Sequence, residues 1–386
     1  MSVRLRDLRP VHVIGVGLHP YQRASETPYT ALGVHAVRAA LADAGLAWRE
    51  VETAYTGTAT IGMGMSRRMY RHLGSSGIAM AQVENASASG STAFRQACID
   101  VAAGLADVAI AVGVDKPRMP GPGPRGGGAT AGPRDLAGSR VVPFTHFALL
   151  ANRYMHDTGT TPEQFGLVAV KNSRNGALNP NAQRQKARTL DEVLEPPQIS
   201  GPLTRLQCCP VGEGAAAAIV VSDDAIRRLG LDASRAVRVL ASAARSETVY
   251  RGENFDAALT RETTEQALAD AQVAPTDLDV VELHDAFTVE ELLYIEAMGI
   301  SPAGHAAREV EEGQFDIGGR VAVSASGGLL AMGHPIGPTG VGQICELTAQ
   351  LRGEGGARQH PGAVTGLAHM VGVGAVCVVH VLAAPS

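Results

Sequence analysis

Aromatic residues are scarce in this chain. Phe, Tyr and Trp make up 4% of 386 residues, with a single Trp, while hydrophobic residues make up 45%. The interior must therefore be packed tightly from Ala, Val and Gly. Cysteine is also sparse. Cys98, Cys208, Cys209, Cys345 and Cys377 are odd in number and contain no Cys-x-x-Cys pair. That pattern argues against a zinc site or a disulfide framework, predicts no metal, and fits a reducing cytoplasm. No Lys/Arg cluster stands out, and the net charge of −5 leaves no footprint for nucleic acid. The first residues, Met1 to Asp7, carry no apolar signal core. The run Gly366 to Ala384 is long enough to raise a membrane span, but it holds His369, His380 and several glycines. Its Val-rich end reads better as a buried strand, so no membrane partner is expected.

A chain of this length suits two domains plus an elaboration. Val11 to Gly17 reads as a strand, Pro28 to Ala44 as an amphipathic helix stopped by Gly45, and Val51 to Thr56 as a short strand. The pattern then returns. Val237 to Leu240 is a strand, Leu259 to Ala271 a helix, and Leu278 to Leu283 a strand. Ala40-Leu41-Ala42-Asp43-Ala44 matches Ala267-Leu268-Ala269-Asp270-Ala271 at an offset of 227 residues, 267 less 40. At that offset Gly57 falls on His284. Two copies of one unit in matching order indicate a duplicated domain. Alternating strands and helices predict an α/β fold with mostly parallel sheets covered on both faces.

Between the copies lie a small-residue helix, Ala93 to Gly104, and a buried strand, Asp107 to Val114. Pro117 to Gly138 is too rich in Gly and Pro for regular structure, Thr145 to about Ala177 reads as helical, and Leu190 to Thr204 as a Pro-marked loop. Because helices lie inside it, this insertion reads as a loop domain. The expected division is 1–117 with 206–235 as the first half, 118–205 as the loop domain, and 236–386 as the second half.

Four polar stretches could carry chemistry. Small residues flank Ser87 in Val83-Glu84-Asn85-Ala86-Ser87-Ala88-Ser89-Gly90-Ser91-Thr92-Ala93, and a helical run follows at once. A strand, a tight turn and a helix would lift the residue at the bend toward the positive end of the helix dipole. The others are His284-Asp285-Ala286-Phe287; Ser324 to Gly328 leading to Gly333-His334-Pro335-Ile336-Gly337; and Leu367-Ala368-His369-Met370-Val371-Gly372-Val373-Gly374. Ligands gather beyond the carboxyl ends of parallel strands, and histidines there can donate to an oxyanion or move protons. Taken singly, each histidine reads first as a packed, hydrogen-bonded structural residue, and Tyr294 as core by its helical spacing with Met298.

Together these pieces resemble the thiolase superfamily. The order Asn-x-Ser-x-x-Gly-Ser-Thr-Ala, Gly-rich insertion, His-Asp-Ala-Phe, Gly-Gly…Gly-His-Pro-x-Gly-x-Thr-Gly, then a Gly-rich final strand is similar to the sterol-carrier-protein thiolases and the bacterial lipid-transfer proteins. The likeness spans nearly the whole chain and is strongest from Ser326 to Gly362. It implies two similar halves stacked into five αβαβα layers with an inserted loop domain. A CoA-thioester site would lie between the halves, with coenzyme A as substrate carrier and no permanent cofactor. It also implies a homodimer through an edge strand of the first half.

The departures bear on chemistry. The family places its nucleophilic cysteine where Ser87 stands, and its second cysteine where this chain has Ala286 or, in other members, Ala368. A thiol ionises near ~8.5 and can be tuned lower; a serine hydroxyl needs a base beside it, and the sequence shows none. By resemblance, His334 and a water held by His284 would bind the thioester oxygen. The backbone N–H groups of Ser87 and Met370 would form a second oxyanion site, beside the small residues Gly333 and Gly372. A site that stabilises a CoA enolate without a nucleophile suits retro-aldol cleavage of a β-hydroxyacyl-CoA, and some bacterial relatives are steroid side-chain aldolases working with a small OB-fold partner. The base for the hydroxyl proton is left open among Ser87, Asp285, Tyr294 and His369. Two rival readings stand beside this one. The first is thiolase-type acyl transfer, with Ser87 native or an engineered replacement for cysteine. The second is a non-catalytic subunit that binds a CoA ester or lipid.

Overall fold

The computed structural model describes residues 4–117, 143–250, 254–372 and 376–385. The first half opens with β1 (Val11–Gln22), α1 (Tyr29–Ala44), β2 (Thr53–Gly57), α2 (Met65–Tyr70), β3 (Ala79–Val83), α3 (Ser89–Ala102) and β4 (Val108–Asp115). The insertion supplies α4 (Pro143–Thr158), α5 (Pro162–Ala177), α6 (Leu190–Leu194) and a small hairpin of β5 (Gln198–Ser200) and β6 (Leu203–Thr204). β7 (Glu213–Ser222) and α7 (Asp223–Leu229) return to the first half. The second half holds β8 (Val237–Ser246), α8 (Phe255–Ala271), β9 (Val280–Glu282), α9 (Thr288–Ala297), α10 (Ala306–Glu311), β10 (Ala322–Val323), α11 (Gly328–Ala331), α12 (Thr339–Leu351), β11 (Thr365–Gly372) and β12 (Val376–Ala383).

The repeat is visible in the backbone. Gly45 ends α1 in the left-handed region at φ 67°, and Gln272, 227 residues on, ends α8 at φ 59°. The same offset carries Thr53, the first residue of β2, to Val280, the first of β9.

Among the described residues, ten strands join in the order β10-β9-β11-β12-β8-β1-β7-β4-β2-β3. The halves meet between β1 and β8 through two residue pairs, His12 with Arg238 and Val13 with Val237. The expectation of mostly parallel sheets does not hold. β1 with β7, β4 with β7, β8 with β12 and β11 with β12 are antiparallel; β2 is parallel to β3 and β4, and β9 to β10 and β11. Strands buried on both faces read as apolar runs whichever way they point, so burial was legible and direction was not.

Helices cover both faces of each half. α1 packs Leu32, Ala36, Val37 and Ala40 against Ile14, Ile110 and Ile219 on the outer face of the first half. α3 and α12 fill the middle layer, where Phe94, Ala97, Val341 and Ile344 meet Val13, Ala111 and Val220 from one half and Val239, Val280 and Ala368 from the other. α8 and α9 cover the far face with Leu259, Leu268, Leu292 and Ile295. Five layers result. They are thin: a Cβ on Gly15 would stand 2.4 Å from the Ala40 carbonyl oxygen, and one on Gly17 would stand 2.3 Å from that of Ala36.

The insertion differs in detail from expectation. The helical stretch is two helices broken at Gly159 (φ 74°), the second started by the Thr161 cap, Pro162 and Gln164. Leu190 to Thr204 contains α6 and the hairpin rather than loop alone. The Gly/Pro-rich stretch lies, beyond Lys116 and Pro117, outside the described residues, as do Val373 and Gly374. The apolar run at the end of the chain forms the β11–β12 pair, and no described helix is long and apolar enough to cross a membrane.

Candidate active site

Ser87 stands in the turn between β3 and α3. Ala86 adopts φ 49°, a left-handed conformation that costs an alanine of order 1 kcal/mol and so marks a turn held by its surroundings. The hydroxyl of Ser89 closes the turn, accepting from Asn85 N–H at 2.8 Å and donating to the Ala86 carbonyl at 2.6 Å. Behind it, Ala88 packs on Met370 of β11, both fully buried. A Cβ on Gly372 would stand 2.6 Å from the Asn85 carbonyl oxygen, so only glycine lets the turn approach β11 this closely.

The second half supplies His334. Its Nε2 lies 3.0 Å from Ser87 Oγ, and its Nδ1 lies 2.9 Å from Thr339 Oγ1. Ile336, two residues on, takes φ 53°, and Gly333, just before, takes φ 108° with its Cα turned toward Gln183 and Tyr21. Gly333 thus shapes the turn rather than the space around Ser87. Burial, then the neighbouring His284, pushes the His334 pKa well below 6.5, so the ring is neutral near pH 7. A neutral ring has two options here. With the proton on Nε2 it donates toward Ser87 and any oxyanion nearby; with the proton on Nδ1 it accepts the serine proton.

His284 meets His334 edge to face, with centroids 5.2 Å apart at 87°. Its Nδ1 lies 2.9 Å from Glu290 Oε1. Glu290 sits in the first turn of α9, where Oε2 accepts Phe287 N–H at 2.9 Å and Oε1 accepts the Tyr294 hydroxyl at 3.1 Å. With those donors already on it, the carboxyl acts as acceptor, so Nδ1 is the protonated nitrogen of His284. Its Nε2 keeps a lone pair and is buried with no hydrogen-bond partner among the described residues. An orphaned buried polar atom costs about 1–3 kcal/mol, which substrate can relieve. Burial pushes the Glu290 carboxyl up, while His284 opposes that shift.

The remaining sequence candidates divide. Tyr294 is fully buried; its hydroxyl reaches the site through Glu290, and its ring meets that of His369 at 4.9 Å. His369 lies behind His284. Its Nε2 is 3.0 Å from Thr260 Oγ1, its Nδ1 accepts the His284 N–H at 3.5 Å, and burial lowers its pKa to about 3. Asp285 turns away, accepting from Leu329 N–H and Asn172 Nδ2 at 2.7 Å each. Asn172 also donates to Glu291, which pairs with buried Lys171 at 3.1 Å. Asp285 thereby fastens α5 to the His284 turn. Ser87, His284, His334, Met370 and Gly372 are thus brought together; Asp285, Tyr294, His369 and Gly333 support them from outside. Glu290 was missed as a site residue. Its signal was a Glu at the third position of the helix and four residues before Tyr294.

Thiols are nearby but misplaced. Burial pushes Cys208, Cys345 and Cys377 up to about 12 and raises Cys98 and Cys209 too. Cys209 is half-buried on a strap crossing the site floor: its N–H donates to the Ala286 carbonyl at 2.8 Å, and His334 N–H donates to Pro210 at 3.3 Å.

The family models agree with this arrangement. Residues 13–224 match the thiolase N-terminal domain and residues 241–383 the thiolase C-terminal domain-like model. The chain belongs to the thiolase superfamily. It is 37% identical over 396 residues to sterol carrier protein 2 of Gallus gallus, covering 96% of this chain and 71% of that protein. It is 34% identical over 384 residues to an acetyl-CoA acetyltransferase of Methanothermobacter thermautotrophicus, covering 97% and 99%. Among solved structures it resembles the Ltp2-ChsH2(DUF35) aldolase with a TM-score of 0.84 at 27% identity, over 97% of this chain and 98% of that one. The superfamily thus includes both acyl-transfer and aldolase relatives of this chain, and it is an enzyme family acting on acyl-CoA.

Proposed function

We propose that this thiolase-superfamily enzyme cleaves a β-hydroxyacyl-CoA by a retro-aldol reaction. The observation that carries the reading is the orphaned, buried Nε2 of His284, backed by Glu290 and facing a neutral His334. His284 Nε2 takes the proton of the β-hydroxyl. The Cα–Cβ bond breaks, the β-carbon becomes a ketone or aldehyde, and the bond electrons move into the thioester as an enolate. His334 Nε2–H, with the Ser87 backbone and hydroxyl, stabilises the enolate oxygen; one such donor is typically worth about 10²–10³ in rate. The His284 imidazolium then returns its proton to Cα, giving a shortened acyl-CoA. No acyl-enzyme and no added reactant are needed. His284 is therefore assigned the proton that the sequence left open among four other residues.

A second reading rests on the 3.0 Å contact between Ser87 Oγ and His334 Nε2. With the other tautomer, His334 would deprotonate Ser87 for attack on a thioester, as in acyl transfer. Product analysis by mass spectrometry separates the two. One panel holds β-ketoacyl-CoAs with free CoA, the other β-hydroxyacyl-CoAs, including tertiary alcohols and sterol-like side chains. A carbonyl product plus a shortened acyl-CoA from the second panel alone supports cleavage. Acyl-CoA release from the first, dependent on free CoA, supports acyl transfer. Silence in both points to a binding subunit. Because the aldolase relative is named for two proteins, the assay includes a small OB-fold partner. The proposal extends to a homodimer, supported by β3, the outermost strand, whose residues are nearly all exposed.

A further inference from the structure

Ser87 and His334 come from different halves, so something must fix one half's turn against the other's. Asp115, at the end of β4 and 1% exposed, is where five donors converge. Oδ1 accepts from Thr58 Oγ1 at 2.7 Å, Thr60 N–H at 2.9 Å and Thr60 Oγ1 at 2.6 Å. Oδ2 accepts from Ala59 N–H at 2.8 Å and from Gly337 N–H at 2.8 Å. Four of these donors belong to the turn after β2 in the first half. The fifth belongs to the His334 turn of the second half. That turn has little freedom elsewhere: Tyr21 donates to the Pro338 carbonyl at 2.8 Å, and a Cβ on Gly90 would stand 2.4 Å from the Gly337 carbonyl oxygen. Thr339, two residues past Gly337, then holds His334 Nδ1.

We infer that Asp115 is the positioning residue for His334: one carboxylate that sets the second half's histidine turn against Ser87 in the first. The inference rests on the reading of Ser87 and His334 as reacting groups. The chemistry calls for a carboxylate. An amide has one acceptor oxygen, so an asparagine would turn its NH₂ toward either the threonine donors or the two backbone N–H groups of Ala59 and Gly337. The threonine hydroxyls can rotate to accept, but a backbone N–H cannot. Either orientation loosens the joint between the two turns: one leaves the Thr60 N–H facing an NH₂, the other leaves the Ala59 and Gly337 N–H groups so.

The test is D115N in the full chain, with turnover of the substrate found above and the ring-nitrogen NMR spectrum of His334. A misplacement of about 1 Å can cost up to about 10²-fold, so kcat is expected to fall about tenfold to a hundredfold with KM within about threefold. The balance between the two tautomers of the His334 ring should shift from that of the parent. Because Thr339→Val also acts through this ring, D115N and T339V together should cost less than the product of their separate effects. Unchanged kcat and an unchanged His334 spectrum would overturn the inference, as would fully multiplicative effects. If H334A turns over at the parent rate, the functional reading fails instead. Should D115N not fold, T60V removes one exposed-side donor from the same carboxylate and must show the same signature at smaller size; its absence would overturn the inference equally.

Discussion

Replacing Glu290 by Gln keeps the shape of the site and changes only what one side chain can accept. The carboxyl accepts on both oxygens: His284 Nδ1 and the Tyr294 hydroxyl on one, Phe287 N–H on the other. A glutamine has one oxygen. If that oxygen faces His284 and Tyr294, the amide nitrogen meets the buried Phe287 N–H, at about 1–3 kcal/mol for the unpaired donor. If it faces Phe287, the amide nitrogen donates to His284 Nδ1 and the ring proton moves to Nε2, where the lone pair was. The second arrangement avoids the unpaired N–H, so it should dominate by roughly 5- to 150-fold. The base is then in the wrong tautomer in most molecules, and the carboxylate that would stabilise the imidazolium is gone. The expected loss in kcat is about 10²–10⁴-fold. KM should stay within about threefold, because Glu290 acts on substrate only through His284. Acyl-CoA product formation followed by mass spectrometry measures both constants, and thermal unfolding checks that the fold survives. Tyr294→Phe is the control: it removes one donor from Glu290 but leaves the acceptor for His284, so kcat should fall no more than about tenfold. An E290Q enzyme with parental kcat would refute the assignment of His284 as base, whatever the substrate.

Three further outcomes follow from the geometry. Ser87→Ala should lower retro-aldol turnover by only about 2- to 13-fold, the worth of one hydrogen bond, whereas it would abolish acyl transfer through the serine; steady-state rates distinguish these. Gly372→Ala places a Cβ 2.6 Å from the Asn85 carbonyl oxygen, so the Ser87 turn must move; it should cost about 1–3 kcal/mol in denaturant unfolding and tenfold or more in kcat. Burial, reinforced by Glu346 and opposed by the Ser326 hydroxyl and N–H, raises Glu282 to about 8. The folded chain therefore holds a proton there that the unfolded chain has released above its ordinary value near 4.5, so this contribution is full below about pH 4.5 and is lost as pH rises to about 8. At about 1.4 kcal/mol per unit the loss is several kcal/mol, and Glu282→Gln should flatten the melting temperature across that window.

The sequence disclosed much of this architecture and part of the site. The Ala-Leu-Ala-Asp-Ala repeat located the ends of α1 and α8 to the residue, because a helix stop leaves a local mark, and the starts of the two following strands to within two residues. Strand direction left no such mark, since β7 (Glu-Gly-Ala-Ala-Ala-Ala-Ile-Val-Val-Ser) is buried along its whole length. Ser87, His284 and His334 were legible from small-residue turns around polar groups. Asp115 was not, because it earns its role through a partner far along the chain, reaching Gly337 across 222 positions; Glu290 has only near partners, His284, Phe287 and Tyr294, and was overlooked beside them. Asp285 was legible as a polar candidate, but its direction was not; the side chain that captures it, Asn172, comes from the insertion.

The thinness of the layers has a consequence for how this chain can change. Positions such as Gly15, Gly17 and Ala215 to Ala218 already hold the smallest side chains available, and their neighbours stand at contact. A substitution there can add atoms but scarcely remove them. The middle of the molecule therefore has almost no neutral drift open to it, and a gain in volume at one position needs a matching loss across the layer. Adaptation to a new acyl group is pushed outward, to the inserted helices and the strap at Cys209, where bulk can be exchanged without parting the two halves.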